Sequence, residues 1–294
     1  MGRGVSILGG MTNITHSLKV TAALTLLAFG LNMAGCSEPG PDDQTPVLVS
    51  VSTDYQSAVP GESITLVWRF TLAPDWHLYW VGRNDSGFPP AIDLELPDGW
   101  IAGGLQWPTP ERHLSDGDIL DHIYRDELVL LQKIGVPANA ANSGLASIVA
   151  RVEWLACKDS CVPGKTTVAF DIPLNIQHGD RLAAVADQLP KPLPEGLLQT
   201  SWSGQTFYVQ GPSGTRLQFM PTVDCGDLVN LIRDGQGAEL ALRFQAKGQH
   251  RGQDKGKTVG PVHGLITVEN EDGSIRAYIA DFPAQLLSLP PSGG

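Results

Sequence analysis

The chain is short of cysteine, methionine and positive charge. Of its 294 residues four are cysteine and four are methionine, and 20 lysines and arginines stand against 31 aspartates and glutamates, a formal net charge of −11. Such an acidic balance argues against a nucleic-acid partner and against adsorption to an anionic membrane. Two cysteines lie close together, but no second pair of ligands follows at the spacing of a zinc site. We therefore expect no nucleic acid, no bound metal and no cofactor.

Long apolar runs are also scarce, and the one clear run lies near the N-terminus. Lys19 precedes an apolar stretch at residues 20–31, and small residues lead into Cys36. These are the features of a secretory signal, and the run is too short to span a bilayer. The Ala-Gly pair directly before Cys36 resembles a bacterial lipobox, in which the cysteine is lipidated and begins the mature protein; the alternative is an ordinary signal peptide that happens to contain a cysteine. We expect a signal peptide over residues 1–35 and a disordered, Pro- and Asp-rich tether over residues 36–46.

The next part of the chain has the pattern of β-strands. Segments such as VLVSVST (47–53) and ESITLVWRF (62–70) alternate apolar and polar residues, and Pro- and Gly-rich turns separate them. Seven or eight such segments predict an immunoglobulin-like antiparallel sandwich over residues 47–176. Residues 104–122 contain two prolines and many polar residues without periodicity, which indicates a long loop.

The remainder is also β-rich in pattern, apart from one segment. Residues 180–189 begin with an acid, carry apolar residues at helical spacing and end before Pro190, which predicts a helix. With the KPLPEG sequence that follows, they form a helix and linker over residues 177–196. Further β segments predict a second, smaller β-rich domain over residues 197–294, with a mobile glycine-rich loop at 247–260. The predicted fold class is therefore all-β.

Cys157 and Cys161 lie between two β segments, and a Pro-Gly turn follows them. A hairpin end can bring two such cysteines within disulfide range. A bridge that closes so short a loop contributes little to stability, which favours redox chemistry, yet bridges that pin a β corner are common in exported proteins. From the spacing alone the two roles are about equally supported. The CxxxC motif opens no predicted helix, so no helix N-terminus is expected to stabilise a thiolate.

Six short motifs, in one order along the chain, are more specific than the cysteine spacing. Together they resemble the N-terminal periplasmic domain of the thiol:disulfide interchange protein DsbD, in its copper-suppressor (ScsB-like) branch. The motifs are HLYW (77–80), DSGFPP (85–90), LPDGW (96–100), QWPTPER (106–112), IYRDEL (123–128) and WLACKDSCVPG (154–164). The tail, especially GLITVENEDGSIRAYIADFP, resembles the second β domain of the same branch more loosely.

The resemblance implies both a fold and a reaction. In the family an immunoglobulin-like sandwich carries the cysteine pair, which passes electrons to periplasmic proteins by thiol–disulfide exchange through a mixed disulfide. Carried onto this sequence, Cys161 matches the cysteine that attacks the partner and Cys157 matches the resolving cysteine. The enzyme class implied is a thiol:disulfide oxidoreductase of the protein-disulfide reductase type.

The resemblance also implies neighbours for the cysteine pair. A cap loop shields the pair in the family, and its counterpart here runs from Leu114 to His122. His77 and Tyr79 fall where the family places aromatic residues beside the sulfurs. Each has a simpler interpretation: Tyr79 as a core residue, His77 as a partly exposed strand histidine rather than a proton relay, and His113 and His122 as solvated side chains.

The partners follow from what the sequence lacks relative to the family. Full-length members continue into a membrane-spanning electron conduit and a thioredoxin domain, so here we expect electrons to arrive in trans from a membrane donor and to pass to a periplasmic thiol oxidoreductase. The only membrane contact expected is the lipid anchor, on the periplasmic face of the envelope. Ser37, where an aspartate would favour the inner membrane, favours the outer membrane.

Two other functions stay open. A copper(I)-binding, copper-tolerance module would use the soft thiolates of the pair, although Met220 is the only methionine after the signal region. A non-redox interaction domain would keep a structural disulfide and dock an envelope partner through its β surface. Cys225 is left over once the other cysteines are assigned, as a buried apolar residue, a free thiol or one half of an intermolecular bridge, and the first is favoured.

Overall fold

The computed structural model describes residues 41–42, 44–181, 189–246 and 258–287. The predicted signal peptide, Cys36 and most of the tether lie outside the described residues. So do most of the helix predicted at 180–189 and of the glycine-rich loop predicted at 247–260.

The first half of the described chain consists of ten strands in two antiparallel sheets. One sheet has the order β1-β2-β8-β5, and the other has the order β10-β9-β3-β7-β6, with β4 also paired to β9. The strands are β1 (Val47–Thr53), β2 (Ser63–Leu72), β3 (His77–Tyr79), β4 (Ala91–Glu95), β5 (Ile101–Gln106), β6 (Glu111–Ser115), β7 (Ile119–Arg125), β8 (Glu127–Gly135), β9 (Gly144–Cys157) and β10 (Cys161–Leu174).

These sheets enclose one apolar core, as an immunoglobulin-like sandwich requires. Trp68 and Phe70 from β2 pack in the same buried cluster as Leu78 from β3 and Ile148 and Val152 from β9. Side chains alternate between the two faces of a strand, so the period-two pattern buries one face of each sheet. The predicted all-β, immunoglobulin-like fold is confirmed.

The prediction of a long loop at residues 104–122 is wrong. The end of β5, all of β6 and the first part of β7 lie there, and β6 and β7 form a hairpin. Gly117 and Asp118 make its turn with positive φ angles of 83° and 60°. No apolar period showed in the sequence because β6 ends its sheet and exposes much of its surface, so polar residues are tolerated on both of its faces.

The second half contributes further short strands and one helical turn around a separate core. Phe207, Phe219, Leu240, Phe244 and Ile266 are buried there together. The elements are β11 (Lys191–Pro192), β12 (Gln199–Ser203), β13 (Thr206–Gln210), β14 (Arg216–Pro221), α1 (Leu231–Asp234), β15 (Gln236–Gly237), β16 (Glu239–Arg243), β17 (Thr258–Val259), β18 (Val262–Glu269), β19 (Ile275–Phe282) and β20 (Gln285–Leu286). The division of the chain into the predicted domains stays a prediction.

The two β regions touch each other. Met220 of β14 and Leu265 of β18 belong to the buried cluster of the first sandwich. Across the described ranges, no helix is long and apolar enough to cross a bilayer.

Candidate functional site

The site is built on the tip of the longest hairpin. β9 and β10 pair over 14 residues each, and the pairing ends at Cys157 opposite Cys161. Directly opposed residues of an antiparallel pair point to the same face, so the strand register itself brings the two sulfurs together. They form a disulfide. Cys157 is only 3% exposed, whereas Cys161 is exposed, so the two sulfurs differ in access to a partner.

The neighbouring strand β3 places His77 and Tyr79 beside this disulfide. His77 lies opposite Cys157 on one side and Arg125 of β7 on the other. Tyr79 lies two residues further along and therefore faces the same side of the sheet. Its hydroxyl oxygen is 4.0 Å from Cys161 Sγ and 3.3 Å from His77 Nε2. The structure thus places both side chains beside the disulfide.

Burial sets the protonation of both side chains. Desolvation, together with the charge of Arg125 and the nearby His113, lowers the pKa of His77 to about 4. Desolvation also raises the pKa of Tyr79. At neutral pH His77 is therefore uncharged and Tyr79 keeps its hydroxyl proton.

Residues 83–88, here called the strap, cover Tyr79 from outside the sheet. A Cβ added to Gly87 would lie 2.2 Å from the Tyr79 ring, so only glycine lets the strap lie this close. One residue earlier, the Ser86 hydroxyl oxygen lies 3.3 Å from the Tyr79 hydroxyl oxygen. Ser86 also donates its hydroxyl proton to Asp121 Oδ2, at 2.5 Å.

Asp121 of β7 holds the strap in place. Its Oδ1 accepts the backbone N–H groups of Asp85, at 2.9 Å, and Ser86, at 3.0 Å. The side chain is 3% exposed, and these hydrogen bonds satisfy a carboxylate that would otherwise be costly to bury. Tyr79, Ser86 and Asp121 therefore form one continuous set of hydrogen bonds, and its Tyr79 end lies 4.0 Å from the exposed sulfur.

The other end of the strap is attached to the second β region. The Arg83 guanidinium donates to the carbonyl oxygen of Cys225 and, at 3.1 Å, to that of Gly226. It also lies 3.8 Å from the carboxylate of Asp227, and the Arg83 backbone N–H donates to the Pro221 carbonyl at 2.9 Å. The segment that covers Tyr79 is thus anchored on both regions of the chain.

The two cap residues implied by the resemblance lie elsewhere. His113 and Asp121 are opposite each other on the face that carries the disulfide, so Leu114 and His122, one residue away, belong to the other face. Leu114 is 46% exposed there, and His122 is fully buried against Trp80 with Nδ1 2.7 Å from the Arg83 carbonyl oxygen. His122 is therefore not solvated as predicted, and burial lowers its pKa.

His113, opposite Asp121 in that hairpin, also approaches the site. Its ring lies 5.9 Å from the His77 ring, and its Nδ1 is 3.3 Å from the Arg125 guanidinium. Sequence reasoning treated it as a solvated loop residue, because the hairpin that orients it was not recognised.

The residues missed by the sequence reasoning are Ser86, Gly87 and Asp121. Ser86 and Gly87 lie inside the DSGFPP motif, which served only as a marker of resemblance. A glycine followed by two prolines indicates a tightly constrained backbone, and that signal could have drawn attention to this segment. Asp121 lies inside the implied cap segment, 114–122, but nothing in the sequence singled it out there.

Two expectations about cysteines and metals can also be compared with the structure. Cys225 is a buried free thiol with Sγ 3.5 Å from the Pro261 carbonyl oxygen, and burial raises its pKa. This agrees with the buried interpretation. Within the described ranges, no three His, Cys, Asp or Glu side chains are grouped so as to hold a metal ion.

The N-terminal β region matches a known protein family. Residues 45–173 match the family model described as thiol:disulfide interchange protein DsbD, N-terminal. The N-terminal periplasmic domain of ScsB from Proteus mirabilis is similar in structure at 17% identity, over 82% of this chain and 94% of that one, with a TM-score of 0.46. The reduced DsbD N-terminal domain of Neisseria meningitidis is similar at 14% identity, over 46% of this chain and 90% of that one, with a TM-score of 0.29. No curated protein sequence matches significantly.

Proposed function

We propose that this chain, whose residues 45–173 form a DsbD N-terminal domain, is a periplasmic thiol–disulfide exchange protein that works through Cys157 and Cys161. The observation that carries the proposal is the disulfide at a hairpin tip with one exposed and one buried sulfur. Exchange needs one sulfur that a partner can reach and a second that stays close enough to resolve the mixed disulfide. A purely structural bridge has no need of this asymmetry.

The exchange balances as a two-electron transfer. A thiolate of a partner dithiol attacks Cys161 Sγ. The Cys157–Cys161 bond breaks, Cys157 leaves as a thiolate, and Cys161 is joined to the partner in a mixed disulfide. The second thiol of the partner then attacks the partner sulfur that is bonded to Cys161. This forms the disulfide of the partner and releases Cys161 as a thiolate. The partner ends as a disulfide and this protein as a dithiol, and the reverse sequence reduces the next partner.

The roles of the two cysteines follow from their access to solvent. Cys161 is exposed and carries the intermolecular bond, while Cys157 is buried beside Ile123 and Tyr79 and acts within the chain. The exposed apolar side chains Val162, next to Cys161, and Phe88, at the end of the strap, offer surface on which a partner can dock.

The cellular setting belongs to the same proposal. The signal and lipobox pattern before Cys36 supports export and a lipid anchor on the periplasmic face of the envelope, with Ser37 favouring the outer membrane. Proteins of this family exchange electrons with thiol oxidoreductases and a membrane partner. We infer that a membrane donor acts here in trans and that a periplasmic oxidoreductase receives the electrons.

The first test is the reduction potential of the pair, measured by equilibrating the exported chain with glutathione and trapping free thiols. We expect a value within the range of exchange proteins, roughly −120 to −270 mV. A potential below about −300 mV would identify a structural bridge and overturn the proposal.

The second test separates the roles of the two cysteines. We expect Cys157→Ala to accumulate a mixed disulfide through Cys161, because the resolving thiol is gone, and Cys161→Ala to accumulate none. Non-reducing electrophoresis after incubation with a periplasmic extract measures the adduct, and peptide mass spectrometry identifies the bridged cysteine. Cys225→Ala is the matched control and should behave as the parent chain. Equal adducts in both variants would contradict the assignment.

A further inference from the structure

The Tyr79 hydroxyl group has three polar neighbours and a single proton. Ser86 Oγ and His77 Nε2 each lie 3.3 Å from its oxygen, and Cys161 Sγ lies 4.0 Å away. A phenol donates one hydrogen bond at a time, so these neighbours compete for its proton. Tyr79 is 2% exposed, so water does not replace a partner that is lost.

Asp121 determines what Ser86 can do in this competition. The Ser86 hydroxyl proton is directed at Asp121 Oδ2, with the two oxygens 2.5 Å apart. A serine whose proton is engaged has only lone pairs to offer its other neighbours. Ser86 therefore faces Tyr79 as an acceptor, and Asp121 keeps it so.

We propose that Ser86 and Asp121 tune the reactivity of Cys161 by competing with its sulfur for the Tyr79 hydroxyl proton. In the disulfide form the proton is directed at Ser86 Oγ or His77 Nε2 and not at the sulfur, because a disulfide sulfur is a weak acceptor. When the bridge is reduced, the Cys161 thiolate is a charged acceptor and draws the same proton toward itself. The Tyr79 O–H bond stays intact in both states, and only the direction of its hydrogen bond changes.

This inference rests on the proposed exchange function but concerns different residues. It makes Tyr79 the group that stabilises the thiolate, and Ser86 and Asp121 positioning residues that weaken this stabilisation. Because of this competition, the Cys161 thiolate is less stable than it would be if the Tyr79 hydroxyl group had no other acceptor. Other charged or titratable groups also surround the site. From the adjoining strands these are His77, Cys157, Arg125, His113 and Glu111. From the hairpin turn there is Lys158, whose Nζ lies 3.8 Å from the carboxylate of Asp75.

The test is a pair of substitutions with opposite expected effects. Tyr79→Phe removes the donor, so we expect the pKa of the Cys161 thiol to rise by about one unit and its alkylation near neutral pH to slow roughly tenfold. Ser86→Ala removes one of the two competing acceptors, so we expect that pKa to fall and alkylation to speed up, on the order of threefold. Asp121→Asn should shift the rate in the same direction as Ser86→Ala, because an amide nitrogen facing Ser86 donates and frees the serine proton.

The measurement is the rate of iodoacetamide alkylation of the phosphine-reduced full chain against pH, with the Cys161 peptide quantified by mass spectrometry. Tyr208→Phe, an exposed tyrosine of β13, is the matched control and should leave the profile unchanged. Ser86→Thr retains the hydroxyl and should restore the parent profile.

Shifts of the same sign in Tyr79→Phe and Ser86→Ala, or no shift in Ser86→Ala, would overturn the inference. A general loosening of the site would move all variants in one direction, whereas competition for one proton moves them apart. The measurement starts from chemically reduced protein and needs no partner. Failure of the exchange function would therefore appear in the reduction potential and the trapping experiment, not in this profile.

Discussion

His77 shows how strongly burial alters one side chain at the site. The ring is 8% exposed, opposite Cys157 and Arg125 in the sheet, and its pKa is lowered to about 4 from an ordinary value of 6.5. An uncharged imidazole adds no positive charge that would stabilise a thiolate. The sequence predicted a partly exposed histidine, because it did not show which segments would pack around this strand.

The lowered pKa of His77 predicts a pH dependence of stability. Between pH 6.5 and 4 the unfolded chain binds a proton at this position and the folded chain does not. Stability is therefore complete above about pH 6.5 and falls as the pH drops through 4, by about 3 kcal/mol in all. Urea unfolding at pH 7.5 and 4.5 measures the loss. His77→Gln should lose less stability than the parent chain over this interval, and an equal loss in both would contradict the prediction.

The strap and the β9–β10 hairpin are the two elements that build the site. The hairpin brings the sulfurs together through its register, and the strap lies on Tyr79 and supplies Ser86. The close approach at Gly87 makes the strap sensitive to a single added carbon atom, because a Cβ would overlap the Tyr79 ring.

Gly87→Ala tests this contact. We expect a loss of about 1–3 kcal/mol in the free energy of unfolding, as is usual for an overpacked site, because either the strap or the buried ring must move. Gly104→Ala is the matched control, since a Cβ there meets nothing within 4 Å. Urea denaturation of the two variants gives the comparison. Similar losses in both would show that the strap adapts without strain.

At the scale of the whole molecule, the first sandwich and the second β region meet beside the site. Arg83 spans them: its guanidinium binds carbonyl groups of the second region, while its own carbonyl oxygen lies 2.7 Å from Nδ1 of His122. Arg112 makes a second connection, with its guanidinium donating to the carbonyls of Leu231 and Ile232. The second region therefore supports the segment that positions Tyr79.

Arg83→Lys tests the connection because it keeps the charge and removes the planar set of donors. We expect a loss of about 1–2 kcal/mol in the free energy of unfolding, together with an altered rate of Cys161 alkylation. Arg151→Lys is the matched control. Its guanidinium is 54% exposed and makes surface ion pairs with Asp93 and Glu95, a kind of contact that contributes little to stability. An unchanged alkylation rate in Arg83→Lys would show that the second region does not influence the site.

The sequence by itself determined the strand-rich fold, the cysteine pair and the two neighbours His77 and Tyr79. Alternation of apolar residues is a local property, and the order of six motifs predicted the family whose model residues 45–173 match. Only the tertiary structure decided which face each side chain occupies. A shift of one residue along β6 or β7 reverses the face, so Leu114 and His122 point away while His113 and Asp121 face the disulfide.

The contacts of Ser86 with Tyr79 and Asp121 also belong to the tertiary structure. Ser86 and Asp121 are 35 residues apart in the chain, and their hydrogen bond forms because the strap folds back over the sheet. Local patterns predict which residues form a strand, because strand formation is read from the apolar or polar character of residues that are neighbours in the sequence. The set of hydrogen bonds that joins Asp121, Ser86 and Tyr79 beside Cys161 depends on the packing of separate segments, which no local pattern contains.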